Sequence, residues 1–254
     1  MESFAGVKEQ YDRYVDGFRG ERGELPPMMR LKYEHTMAVV ENSRLIADGE
    51  AFEPLQRDRA LLAGLLHDTG RYEQLRRYNT FRDSDSVDHA VFSHSIVKER
   101  GWCSDGIVLL AVLYHNRREL PTGLDADTKQ ICDSVRDADK LDIFHVLEDR
   151  VENTDWRNDA TAFWNLRYDL APNPAVVAAV REGRPVDYQN IKSLADFVLI
   201  QVGWMIAGLC FATSRRICFE RGHLDFRRRF LREIGGGDEC GELCDLAARR
   251  AKEG

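Results

Sequence analysis

The sequence predicts an all-α protein, a helical bundle followed by a helical extension. Three observations carry this. Almost every long segment repeats its apolar residues at helical spacing. Alternating strand patterns are scarce. The proline and glycine breakers fall mostly between the periodic segments.

Taken in order, Leu31 to Ala47 reads as a helix preceded by the breaker Pro26-Pro27. Asp58 to Asp68 reads as a second, stopped by Thr69-Gly70. Asn79 to Ser86 is a polar loop, with Asp85 and Ser86 offering caps for a third helix to about Arg100. Asp105 to His115 is a fourth. A fifth starts near Asp127, where Gln130 completes a capping-box-like start, and runs to about Leu147. Beyond it lie a loop-rich stretch with Pro172, Pro174 and Pro185, an apolar helix from about Leu194, and the basic amphipathic run HLDFRRRFL. Residues 1–151 are expected to form the bundle and residues 152–254 the extension, with a disordered tail from about Gly235.

The 254 residues suit one large domain or two small ones, and 43% hydrophobic with 31% charged residues is an ordinary globular composition. A net charge of -7 gives no general attraction to a nucleic-acid duplex or an anionic membrane. The N-terminal MESFAGVKEQYDRY has no apolar core, unlike a secretory signal. The apolar run from Phe197 to Ala212 is shorter than the roughly 18 residues a span needs, so it reads as a core helix. Six cysteines without a CxxC pair read as free thiols of a cytoplasmic protein. Left-over apolar stripes on Leu194 to Ala212 leave room for a homodimer.

Six residues stand out: His35, His67, Asp68, His89, His115 and Asp139. Each falls on a segment that otherwise reads as buried helix, where imidazoles and carboxylates need partners. His35 shares a face with Ala38, Val39 and Asn42. His115 lies eight after Ile107, and Asp139 eight after Ile131. Adjacent His67 and Asp68 point about 100° apart at a helix end, which suits two groups reaching around an ion or a carboxylate shared by two. His94, five after His89, points elsewhere. One or two divalent metal ions would satisfy all six. Mixed imidazole and carboxylate ligation suits iron, manganese, cobalt or nickel, and zinc less well.

At these residues the chain resembles the HD-domain superfamily of metal-dependent phosphohydrolases. The matching pieces are His35 in YEHTMAVV, LLHDTGR around His67-Asp68, and RDADKLDIF around Asp139. His89 in DHAVFSHSIV and His115 in LYHN look like the additional histidines of the two-metal subset, to which bacterial diadenosine tetraphosphate hydrolases belong. The resemblance implies an all-helical bundle, with His35, His67, Asp68 and Asp139 as primary ligands. It implies His89 and His115 on a second metal with Asp68 bridging. Some relatives place a catalytic glutamate three residues after the HD aspartate. Arg71 stands there in this chain, which speaks against the monometal nucleotidase mechanism and resembles members with lysine at that place.

The expected activity is hydrolysis of a phosphate ester or anhydride of a small metabolite or nucleotide by metal-activated water near Asp68. Arg71 is either a transition-state cation or a helix-end salt bridge. Asp142 is an acid or, as preferred, the group that orients a ligand histidine. Arg71, Lys140 and Arg82 are the candidates for binding the phosphorylated substrate. His145 and His223 read as structural, and Arg227 to Arg229 as a solvated helix face. Two alternatives share the ligand set: a di-iron oxygenase of the same superfamily, and a catalytically silent metal-binding signalling protein.

Overall fold

The computed structural model describes residues 2–159, 163 and 166–253. It is all-α: among these residues the only extended pairing is an isolated bridge between Arg167 and Ser193. Two compact units divide the chain, Met1–Asp142 and Ile143–Gly254. The boundary lies inside a continuous helix, and helical periodicity carries no mark of it; the sequence reading set it after Val151.

In the first unit, α1 (Phe4–Asp16) begins where the Ser3 side chain accepts from the Gly6 amide. The charged N-terminal segment thus holds a helix that the sequence reading left unassigned. α2 (Pro27–Gly49) and α3 (Pro54–Leu66) each carry proline in the first turn, where no amide donor is needed. Every residue from Ala60 to Leu66 is buried, so the second half of α3 is the central element of this unit. Gly64 lets α2 approach, since a Cβ there would lie 2.8 Å from Ser43 Oγ.

The HD turn then leads into α4 (Gly70–Tyr78), which the sequence reading closed at Thr69-Gly70. Asn79 ends α4 in the left-handed conformation. α5 (His89–Glu99) is capped by Asp88, three residues later than Asp85, and α6 (Gly106–Tyr114) by Asp105. α7 (Ala126–Asn153) follows, with Asp125 accepting from the Thr128 amide. α1 is tied to α2 and α4 by the Tyr11 hydroxyl, which meets Thr36 Oγ1 at 3.2 Å and Tyr72 OH at 2.9 Å.

In the second unit, α8 (Pro174–Arg181) lies within the stretch read as loop-rich. α9 (Leu194–Gly203) starts on a Ser193–Asp196 capping box. The apolar run does not continue as one helix: it passes through a π-turn at Trp204–Gly208 before α10 (Ala212–Glu220). No helix of the described residues is long and apolar enough to cross a membrane. α11 (His223–Glu233) and α12 (Gly237–Glu253) complete the unit. The tail expected to be disordered is therefore a helix. Cys240, Leu243, Cys244 and Ala247 fall on one face and are all buried, a stripe the glycines at 235–237 obscure.

Arg227 corrects the solvated-face reading, because it is fully buried. It shares the inner face of α11 with His223, Leu224, Phe230 and Leu231. Its Nε and Nη2 donate to Gln201 Oε1 at 3.0 and 2.8 Å, and Nη2 also donates to Phe144 O at 2.8 Å. Nη1 donates to Glu148, which His223 Nδ1 meets at 2.7 Å. Burial pushes the Glu148 carboxyl up, but His223 and Arg227 outweigh it and hold it below its ordinary 4.5.

Removing the cation strands a half-hidden carboxylate, so Arg227→Ala should destabilise the protein by about 3–5 kcal/mol in urea unfolding. A depressed folded pKa contributes stability that is present above pH 4.5 and lost as pH falls below it. Glu148→Gln should flatten that part of the acid-unfolding profile.

Candidate metal centre

Four histidines of the first unit turn their Nε2 atoms toward one carboxylate, and in each the other ring nitrogen is held from behind. His67 caps the C-terminus of α3, and its Nδ1 meets Gly64 O at 2.8 Å. His115 caps α6, and its Nδ1 meets Val112 O at 2.8 Å. The two share one device: the last helical turn offers a carbonyl three residues back. A carbonyl only accepts, so both rings carry their proton on Nδ1. Burial lowers the His67 pKa to about 3, which keeps the ring neutral with its lone pair on Nε2.

The other two histidines are held by carboxylates from outside their own helices, for His35 from beyond the HD turn. His35, in the middle of α2, places Nδ1 2.6 Å from Asp142 Oδ2. His89, the first residue of α5, places Nδ1 2.5 Å from Asp83 Oδ2. Burial and Lys32 disfavour a charged His35, but Asp139 and Asp142 outweigh them and raise its pKa to about 9. Burial lowers His89, against the opposing pull of Asp83. Asp83 itself is pushed up by burial and brought down to about 2 chiefly by its bond to His89.

Asp68 stands among the four imidazoles with its oxygens divided between them. Oδ2 lies 3.7 Å from the Nε2 of both His35 and His67. Oδ1 lies 3.6 Å from His89 Nε2 and 3.7 Å from His115 Nε2. Asp139 Oδ1 joins the first pair, 3.2 Å from His35 Nε2 and 4.0 Å from His67 Nε2. The centre therefore has two halves that share one carboxylate.

The donor set fits metal ions. Two nitrogens bound about 2.1 Å from one ion lie roughly 3.0–3.4 Å apart at octahedral or tetrahedral angles. His35 and His67 face each other at 3.3 Å, and His89 and His115 at 3.0 Å. The Asp68 oxygens stand a few tenths of an ångström farther out. His35, His67 and Asp139, and separately His67, Asp68 and His115, are compact enough to hold an ion. A third group, Asp83, Asp88 and His89, has the same compactness. Its members are already engaged, Asp83 with His89 and Arg71, and Asp88 with the first amides of α5 and with Asn116.

All six residues singled out from the sequence thus meet in one place. Asp142 lies behind His35, buried, where it orients the ring and does not face the cluster centre. Arg71 flanks the cluster, its Nε 3.4 Å from Asp68 Oδ1, while Nη1 donates to Phe81 O at 2.6 Å and Asp83 at 3.0 Å. Arg82 pairs with Asp85 at 3.4 Å, and Lys140 faces Asp137 at 3.7 Å. Arg82 sits on the outer side of the loop, and Lys140 is one residue past Asp139, a step of about 100° around α7.

Three residues escaped the sequence reading. Lys32 places Nζ 2.8 Å from Asp68 Oδ2, and its spacing of three residues before His35 put it on the same helical face. Asp83 left no signal beyond being an acid in a polar loop. Gln74 is fully buried and holds that loop through Asp83, Ser86 and Val87 O. The loop reads correctly as lying over the site, since the Phe81 ring is 5.5 Å from Lys32 Nζ and 5.7 Å from the Arg71 guanidinium.

Gly70 sets the distance between the HD turn and α5. Its amide donates to Ser93 Oγ at 2.8 Å, and a Cβ would lie 2.7 Å from Ser93 N and 2.9 Å from His89 O. Both obstacles include backbone that cannot swing away. Gly70→Ala should cost about 1–3 kcal/mol in thermal or urea unfolding and lower metal retention by displacing His89. Asp142→Ala and Asp83→Ala should each weaken metal binding about 10–100-fold with helicity unchanged, the first acting through His35 and the second through His89. Calorimetric metal titration with circular dichroism checks both, and two variants that bind metal as the parent does contradict the geometry.

Residues 33–147 match the family model for the HD domain. No curated protein and no solved structure shows a significant match to the chain.

Proposed function

Because the chain carries an HD domain, we propose that it is a metal-dependent phosphohydrolase acting on a phosphate ester or anhydride of a small metabolite or nucleotide. The observation that carries the reading is the division of Asp68, whose two oxygens each face a separate pair of imidazole nitrogens. Two ions would be held by His35, His67 and Asp139 on one side and His89 and His115 on the other, with Asp68 within reach of both. Divalent ions bound there supply Lewis acidity and a water that loses its proton near neutral pH.

The chain's own residues do the rest. Asp142, Asp83, Gly64 O and Val112 O hold the imidazoles so that Nε2 faces Asp68, the atom that would ligate once each ring is neutral. Arg71 is anchored at Nη1, and its buried Nε makes no hydrogen bond. That leaves a fixed cation beside Asp68, suited to a phosphoryl oxygen and to charge that builds up during transfer. Phe81 covers Lys32 and Arg71 with an apolar face, which keeps bulk water off both cations and strengthens their field. Arg82, exposed and paired with Asp85, is left outside this machinery.

The test pairs metal content of protein purified without chelator with phosphate release from nucleotides and phosphomonoesters under manganese, nickel, cobalt or iron. Release that vanishes with chelator, and falls at least about a thousandfold in His67→Ala and Asp139→Ala with helicity kept, is the expected result. Two irons per chain with oxygen uptake and no phosphate release would replace this reading by the oxygenase. Bound metal with neither activity would leave the signalling protein.

A further inference from the structure

We infer that Lys32 is the residue that recognises the substrate's charge, and that it changes partner to do so: it holds Asp68 until a divalent ion takes that oxygen, then binds a dianionic phosphoryl group. The inference rests on the phosphohydrolase reading and adds a substrate-binding residue and a charge class.

Asp68 Oδ2 has three neighbours, His35 Nε2, His67 Nε2 and Lys32 Nζ. The lysine at 2.8 Å is the nearest. A divalent ion held by the two imidazoles competes with the ammonium for the same lone pairs, and the two cations repel each other at that range. Lys32 is 19% exposed in its side chain, with the Phe81 ring beside it, so once displaced it stands as a half-buried cation next to the centre, where an anion can pair with it. A flexible four-carbon stem with a compact charge can make that exchange, whereas Arg71 is tied down through Nη1.

The charge balance points to the class of anion. Four carboxylates, Asp68, Asp83, Asp139 and Asp142, lie in the cluster or against its histidines. With the histidines neutral, as metal ligation requires, the two cations Lys32 and Arg71 leave a surplus of two negative charges. Two divalent ions turn this into a surplus of two positive charges. Counted before a bound water loses its proton, that surplus is cancelled by a phosphomonoester or terminal phosphate dianion and not by a singly charged diester.

The experiment measures binding of Mn²⁺, and of inorganic phosphate to the Mn²⁺-loaded full chain, for the parent, Lys32→Met and Lys32→Arg. Lys32→Met should bind Mn²⁺ at least as tightly as the parent, because a competitor is gone. It should bind phosphate at least about tenfold more weakly, the loss of one hydrogen bond between charged groups. Lys32→Arg should recover most of the phosphate affinity. Lys32→Gln serves in place of Lys32→Met if the latter fails to fold. Unchanged phosphate affinity in the neutral variant, with metal and phosphate both bound by the parent, overturns this inference alone. Weakened Mn²⁺ binding in the neutral variant also overturns it, making Lys32 a prop for Asp68. A parent protein that binds no metal overturns the phosphohydrolase reading together with it.

Discussion

The structure of the centre depends on one kind of interaction, the hydrogen bond that each of four histidines makes through Nδ1. An imidazole has two nitrogens and one swivelling bond to its backbone. Occupying one nitrogen with a fixed acceptor settles the tautomer, the ring rotation and the direction of the remaining lone pair together. Here Gly64 O, Val112 O, Asp83 and Asp142 supply the acceptors. Without them the Nε2 atoms would have no reason to converge. With them, like-polarity atoms are held within 3.0 to 3.3 Å in each half, an arrangement that a shared cation relieves.

The same constraint explains how the bundle is built around Asp68. The α3 helix is buried along its second half, so the HD turn that ends it emerges in the interior of the first unit and not at its surface. Close approaches at Gly64 and Gly70 then bring α2 and α5 against that turn. Burial works against the Asp68 carboxylate, yet Lys32 first and Arg71 with it hold it well below the usual carboxylate range. The carboxylate is ionised, central and flanked by cations, which is the state a charge-binding centre requires. The second unit contains a different solution to the same problem. Arg227 is buried with all three of its guanidinium nitrogens donating, and it sits among partners contributed by α7, α9 and α11.

The charged flank beside Asp68 joins the centre to the loop above it. Arg71 touches Asp68 on one side and Asp83 and Phe81 O on the other, and Asp83 in turn holds His89. A movement of the loop at residues 79–88 therefore reaches both the histidines around Asp68 and the cations beside it. This coupling follows from side chains that are each engaged twice, and it gives the polar loop a role beyond covering the site.

The all-α class, the helices carrying the histidines and the six-residue cluster itself were legible in the chain. A titratable group on an apolar helical stripe is conspicuous, because burial without a partner is costly. His67 and His115 were the most legible of all, since each finds its acceptor within its own helical turn. The placing of the unit boundary inside α7, the left-handed stop at Asn79, the π-turn at Trp204–Gly208 and the buried face of α12 were not. Each depends on what packs against a segment, and local periodicity is blind to that. The fates of Lys32, Asp83 and Arg227 belong to the same class: a charged side chain on a helix or loop reads as solvated until the fold brings it an opposite charge from far along the chain. The sequence by itself determined which residues could ligate and which helices carry them. Only the tertiary structure decided which acceptor holds His35 and His89, which cations flank Asp68 and that Arg82 is turned away to Asp85, because those pairings join residues far apart in the chain or depend on where one side of a helix or loop is turned.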